Sequence, residues 1–210
     1  MDLGLTGRVA AVTGAEVLQT DAFIERTVER FGRLDILVNN AGTAAAHPFE
    51  DVDEDYWRRD FDIKLFSVIR AARAALPHMQ AAGWGRIITI TQPFGKQPGA
   101  ASVPTSISRA AAIAFIKALS KDYAPHNILV NTVMVRSIQS MQVENNWRES
   151  GSDLSLDDFL AELGKKRNIP LGRYGAAAEV ADVVAFLTSE RASYLTGAAL
   201  PVDGGFSDTV

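Results

Sequence analysis

Apolar residues follow two alternating rhythms along this chain. Short runs of consecutive apolar and β-branched residues predict buried strands at Arg8–Thr13, Leu34–Val38, Arg86–Thr91, Ile128–Val133 and Ala198–Val202. Between them, apolar positions recur at helical spacing. Phe23, Ile24, Thr27, Val28 and Phe31 predict a helix with Thr20 or Asp21 as its cap, ended by Gly32. Trp57, Phe61, Leu65, Val68 and Ile69 predict one long helix from Asp53 to about Ala82, broken by Gly83 and Gly85. A Gly- and Pro-containing loop, Gln92 to Pro104, leads into a helix from Thr105 to Tyr123, whose small apolar middle suits close packing. A last helix is predicted over Glu179–Ser189. Arg136 to Arg173 is the one long, weakly patterned stretch, with a single short helix in which Ser155 and Asp158 form a capping box.

Strands alternating with helices predict an α/β fold: one domain over residues 1–210, with a mostly parallel sheet covered on both faces. The 136–173 stretch is then an insertion within it, a candidate substrate loop or lid. Trp147 and Phe159 there would line a pocket or anchor the lid. No apolar run approaches the roughly 18 residues of a membrane span, and no secretory leader pattern is read. A net charge of −4 without a basic block disfavours nucleic acid and anionic membranes as partners. The absence of cysteine excludes disulfides and thiol chemistry and is consistent with the cytoplasm. His47, His78 and His126 lack metal-ligand spacing.

The candidate chemistry starts at an interruption. The first strand runs into Thr13-Gly14-Ala15, where a dinucleotide fold continues into a glycine-rich loop. Here Glu16-Val17-Leu18-Gln19-Thr20-Asp21 follows, and no glycine occurs before Gly32. Without small residues the backbone cannot approach a pyrophosphate closely.

Leu34-Asp35-Ile36-Leu37-Val38-Asn39-Asn40-Ala41-Gly42 resembles the short-chain dehydrogenase/reductase family. Gly85–Ile90, Asn127–Asn131 and Tyr194–Gly197 with Val202–Gly205 extend the resemblance over nearly the whole chain, in the family's order and spacing. It implies a Rossmann-type doubly wound parallel sheet, NAD or NADP as cofactor, alcohol–carbonyl interconversion on a small molecule, and a homodimer or homotetramer. It also implies a deletion. The family's helix, strand, helix and strand before the helix at Thr20–Phe31, roughly a quarter of such a domain, have no counterpart. The sheet is therefore shortened at its adenosine-binding end, with its first strand at an edge. If a glycine-rich segment intervenes at Ala15–Glu16, NAD or NADP is expected; otherwise no cofactor is. The cofactor-contacting positions that remain are Thr13, Gly14, Asn39, Ala41 and Gly42, together with Arg136 in the place of a Pro-Gly pair.

By the same alignment, the family's catalytic Asn, Ser, Tyr and Lys fall on Lys64, Gln92, Thr105 and Arg109. A Thr hydroxyl cannot be tuned into the range of a proton donor as a phenol can. Arg109 keeps the cation but cannot relay a proton; it suits a carboxylate or phosphate held by two parallel hydrogen bonds. Lys64 is the plausible general base if burial lowers its pKa. The standard mechanism is therefore not expected. Three functions remain: an oxidoreductase with a non-standard site, a non-redox lyase or dehalogenase-like enzyme in which Arg109 binds an anionic group, and an inactive binding or scaffold protein. Each candidate also has an ordinary structural role. Lys64 would be a solvated helix residue, Arg109 the partner of an acidic neighbour, Gln92 a loop residue, Thr105 a helix entry after Pro104, and Asn39 a turn former.

Overall fold

The structure, a computed structural model, describes residues 2–14, 20–43 and 46–208. In chain order the elements are β1 Ala10–Val12, α1 Thr20–Phe31, β2 Ile36–Asn39, β3 Ala46–His47, α2 Glu54–Phe61, α3 Ser67–Ala82 and β4 Gly85–Thr91. They continue with β5 Val103–Pro104, α4 Thr105–Tyr123, β6 Ile128–Val135, α5 Met141–Glu149, α6 Leu156–Lys166, α7 Ala177–Thr188 and β7 Ala199–Val202.

Five strands form one parallel sheet in the order β1-β2-β4-β6-β7. Alternation sends successive side chains to opposite faces. Leu37, Ile87 and Val130 join Ile24 of α1, Ala71 and Met79 of α3, and Ile116 of α4 in a core on one face. Ile36, Val38, Ile88 and Val133 face the other way, toward Val180, Val184 and Leu187 of α7. Helices thus cover both faces, as the alternating pattern predicts. The strand order follows the chain order throughout the described residues, and β1 lies at the sheet's edge with Val12 53% exposed. Beside it the α7 face opens into an apolar trough of about 580 Å³, lined by Ala10, Val12, Ile36, Val38, Val180 and Val184 among others.

Three expectations need correction. The expected single helix from Asp53 is α2 and α3 joined by one wide turn over residues 62–66, where Ser67 N–H donates to the Asp62 carbonyl five residues back. Apolar positions recur on both sides of that turn without a Gly or Pro between them, which is why periodicity reads it as one element. The 136–173 insertion holds two helices rather than one. The polar run of α5 hides the additional helix, which Ser140 caps by accepting from Val143 N–H. Lastly, Thr20 and Asp21 are helical residues of α1 rather than its cap. The interruption expected at Ala15–Glu16 falls on residues 15–19, outside the described residues. The Ser155 cap is present, accepting from Asp158 N–H and donating to the Asp158 carboxylate.

Candidate active site

The carboxyl ends of the parallel strands bring most of the candidate residues to one edge of the sheet, where ligands bind in open α/β folds. At the end of β1, the buried Thr13 hydroxyl accepts from both Asn40 N–H (3.0 Å) and Ala41 N–H (3.2 Å). Asn39 donates through Nδ2 to Thr89 Oγ1 at 3.3 Å. Thr13 therefore holds the turn after β2, and Asn39 ties the end of β2 to β4. A Cβ built on Gly14 or Gly42 meets no atom of the described residues within 4 Å.

The chemically dense feature is a buried cluster between the wide turn and the start of α4. The π-type turn, a local widening frequent at functional sites, carries Lys64, which donates to Asp60 one helical turn earlier and to Thr105 Oγ1 at 3.0 Å. Arg109, one turn after Thr105 on α4, donates through Nε to the same Oγ1 at 3.2 Å and through Nη2 to the Thr43 carbonyl at 3.3 Å. Ser108 donates to the other Asp60 oxygen at 2.6 Å. Asp60, Lys64, Thr105, Ser108 and Arg109 are all at most 7% exposed.

Several consequences follow from valence alone. Lys and Arg carry no acceptor, so Thr105 Oγ1 accepts both bonds and its two lone pairs are occupied. Its own hydrogen has no acceptor among the described residues. Two cations therefore polarise one hydroxyl whose proton is uncommitted. Burial pushes Lys64 below the ordinary lysine range, with Arg109 adding to the effect and Asp60 opposing it. Arg109 is itself pushed down to about 10 by burial, against the attraction of Asp60.

The structure brings Lys64, Thr105 and Arg109 together, and neither Lys64 nor Arg109 is a solvated surface residue. Arg109 already directs two of its five N–H groups to protein oxygens. Gln92, at the end of β4, contributes its carbonyl to Gly95 N–H (3.2 Å) and no side-chain hydrogen bond to the cluster. Arg136 lies elsewhere, beyond β6, with its guanidinium 4.4 Å from the Phe94 ring centroid and 4.1 Å from that of Phe206. Asp60 and Ser108 were missed. Their signal was spacing: Asp60 stands four before Lys64, and Ser108 shares a helix face with Thr105.

Residues 10–207 match the enoyl-(acyl carrier protein) reductase family. The chain is 33% identical over 203 residues to the 3-oxoacyl-[acyl-carrier-protein] reductase of Salmonella typhimurium, covering 97% of this chain and 79% of that protein. The chain belongs to the short-chain dehydrogenase/reductase family. Among solved short-chain dehydrogenases/reductases, one from Pseudomonas aeruginosa PAO1 superposes with a TM-score of 0.85 at 30% identity, over 93% of this chain and 76% of its own. It was solved with NADPH bound and is described as containing an atypical catalytic center. The L-sorbose reductase of Gluconobacter frateurii, solved with NADPH and L-sorbose, gives a TM-score of 0.82 at 30% identity, over 91% and 73% of the two chains. Within this family the parallel sheet and its flanking helices are accounted for, and these relatives are oxidoreductases. A lyase or dehalogenase-like role and an inactive scaffold gain no support from these relatives.

Proposed function

We propose that this chain is an NAD(P)-dependent oxidoreductase that interconverts a small carbonyl compound and its alcohol through a Lys64–Thr105 proton path. The observation that carries the reading is the Thr105 hydroxyl, which accepts from two buried cations and whose own hydrogen has no acceptor among the described residues. NADPH-bound relatives of the same fold support the cofactor. The turn at Thr13-Gly14 and Asn39–Gly42 is where the cofactor would lie, because a Cβ on Gly14 or Gly42 would meet no atom of the described residues within 4 Å. The adenosine half has no counterpart among the described residues.

When bound, NAD(P)H supplies a hydride to the carbonyl carbon. The Thr105 O–H donates a hydrogen bond to the carbonyl oxygen and stabilises the charge that develops there. The hydroxyl then passes its proton to the alkoxide and takes one from the Lys64 ammonium. Thr105 need not ionise on its own for this, which removes the pKa objection raised by its chemistry. Arg109 holds the hydroxyl and stays charged. Before transfer the cluster holds Lys64⁺, Arg109⁺ and Asp60⁻; afterwards Arg109⁺ and Asp60⁻ balance. Solvent returns the proton to Lys64. Ser108 fixes the Asp60 carboxylate, and through it the Lys64 amine.

The test is NADPH binding followed by single-turnover reduction of a ketone panel. Lys64→Met should retain cofactor binding and lose reduction by about 10²–10⁴, the usual contribution of a general acid. Full activity in that variant sinks the proton path. We also infer a cytoplasmic homo-oligomer with contacts on the α4 face and β7. Among the described residues, no helix is long and apolar enough to cross a membrane. Sedimentation that gives a monomer refutes the assembly.

A further inference from the structure

The sheet ends at β1 in backbone groups that have no partner among the described residues. β1 bonds to β2 on one side only. Ile36 N–H donates to the Val9 carbonyl at 3.0 Å, and Thr13 N–H donates to the Val38 carbonyl at 3.0 Å. Backbone groups alternate in direction along a strand, so Val9, Ala11 and Thr13 face β2. Ala10 and Val12 therefore aim their N–H and C=O groups away from the sheet. Both residues are exposed, Val12 by 53%, while Ala11 between them is buried.

Such an edge is a template for another chain, and folded proteins blunt it with charge, proline, a bulge or a covering segment. β1 carries none of the first three: it reads Ala10-Ala11-Val12 and pairs with β2 in unbroken register. The nearest charge before it, Arg8, is turned to Asp35 and Glu190. On the α7 side Ala10 and Val12 line the apolar trough, so the edge is apolar as well as unpaired. The edge is also complementary to itself. A two-fold axis at Ala11 sets Ala10 of one copy opposite Val12 of the other. Both members of each such pair direct N–H and C=O outward, which is the arrangement of a hydrogen-bonded antiparallel pair, and each pair exchanges two N–H···O bonds. Ala11 then faces its own copy in the non-hydrogen-bonded position between them. On the α7 face each Val12 lies beside an Ala10, large against small, and the apolar floor runs on from one copy to the next.

We infer that the β1 edge docks a second copy of this chain, joining two five-stranded sheets into one by antiparallel β1–β1 pairing. The contact is isologous and consumes the free edge of both copies, so it closes as a pair and cannot propagate. It lies at the end of the sheet opposite β7 and is distinct from the α4 and β7 contacts proposed above. It does not rest on the redox reading.

The test needs neither cofactor nor turnover. Sedimentation equilibrium follows the full chain from about 1 µM to about 1 mM, and amide hydrogen exchange is read by NMR in dilute and concentrated samples. The mass should double with concentration. Exchange at Ala10 and Val12 should slow about tenfold or more as it does, while exchange at Ala11, which already faces β2, changes little. Val12→Lys sets a charge against the partner's edge and should weaken pairing about tenfold or more. Val12→Thr keeps a β-branched, uncharged side chain and should pair within about threefold of the parent. If Val12→Lys does not fold, the exchange pattern of the parent decides alone. A mass that stays that of one chain overturns the proposal. An assembly whose Ala10 and Val12 amides exchange as fast as in the dilute sample overturns it too, and the α4 and β7 contacts then account for the mass. Slow exchange at both amides in a monomer means that the chain covers its own edge, and folded Val12→Lys that pairs like the parent means that the contact lies elsewhere; either result also overturns it.

Discussion

Replacing Thr105 tests the centre of the site by subtraction. Thr105→Val keeps the shape and removes the one oxygen that serves Lys64 Nζ and Arg109 Nε. A hydrogen bond to a charged group contributes roughly 1.5–3 kcal/mol. Losing two would cost about 3–6 kcal/mol if nothing replaced them. Lys64 keeps Asp60 and Arg109 keeps the Thr43 carbonyl, so neither cation is stranded and the lower end, about 3 kcal/mol, is expected. Against a typical total of about 5–15 kcal/mol that is a large loss. Urea unfolding should show a lower midpoint at unchanged m value. The melting temperature should fall by roughly 6–12 °C for a chain of this size. Thr105→Ser keeps the oxygen and should recover most of both stability and turnover. Two results refute the reasoning: Thr105→Val within about 0.5 kcal/mol of the parent, the range of an ordinary surface change, or Thr105→Ser as damaging as Thr105→Val. The second would assign the effect to the methyl group.

Asp60→Asn removes the charge that opposes the burial of Lys64, so the lysine should lose its proton at lower pH. Because reduction needs the ammonium, the alkaline limb of the kcat profile should move to lower pH; an unmoved limb argues against Lys64 as donor. Glu179 is held down to about 2 by Arg173 and by Ala176 N–H, from an ordinary value of 4.5. The stability it provides is present above that ordinary value and is lost as pH falls toward 2, so Glu179→Gln should flatten acid unfolding in this window, as read by circular dichroism. Gly164 on α6 lies so near the next loop that a Cβ would sit 2.8 Å from the Gly172 carbonyl oxygen. Gly164→Ala should cost about 1–3 kcal/mol by overpacking, and a neutral urea midpoint would show that α6 shifts freely.

Much of this molecule is legible from residue order because burial imposes it. The runs at β2, β4 and β6 are almost wholly buried, so they carry no polar alternation and are read as strands directly. Thr105–Tyr123 is bounded by Pro104 before it and by Pro125 just after it, and its limits are read to the residue. What fails is where the decisive contact is tertiary. Helix α5 has no buried residue, so its apolar rhythm is too faint to separate from loop. Asp60 and Ser108 are far apart in sequence and meet only across the packing of the wide turn on α4. Arg109 is read from the sequence as a cation, but its acceptor at Thr43 is a backbone carbonyl, which no side-chain pattern announces.

The strand order has a consequence for how the chain assembles. Each strand of the sheet pairs with the one made before it, from β1 through β2, β4 and β6 to β7. No strand has to return past an earlier one, so the sheet can grow at a single front. Domains form as they emerge from the ribosome, at about 5–20 residues per second. Here every crossover closes onto a template already in place, and the non-local pairings that slow folding are limited to one neighbour at a time. Among the described strands β1 comes first and is left behind by that front, so it keeps one side unpaired while the later strands add at the other end of the sheet.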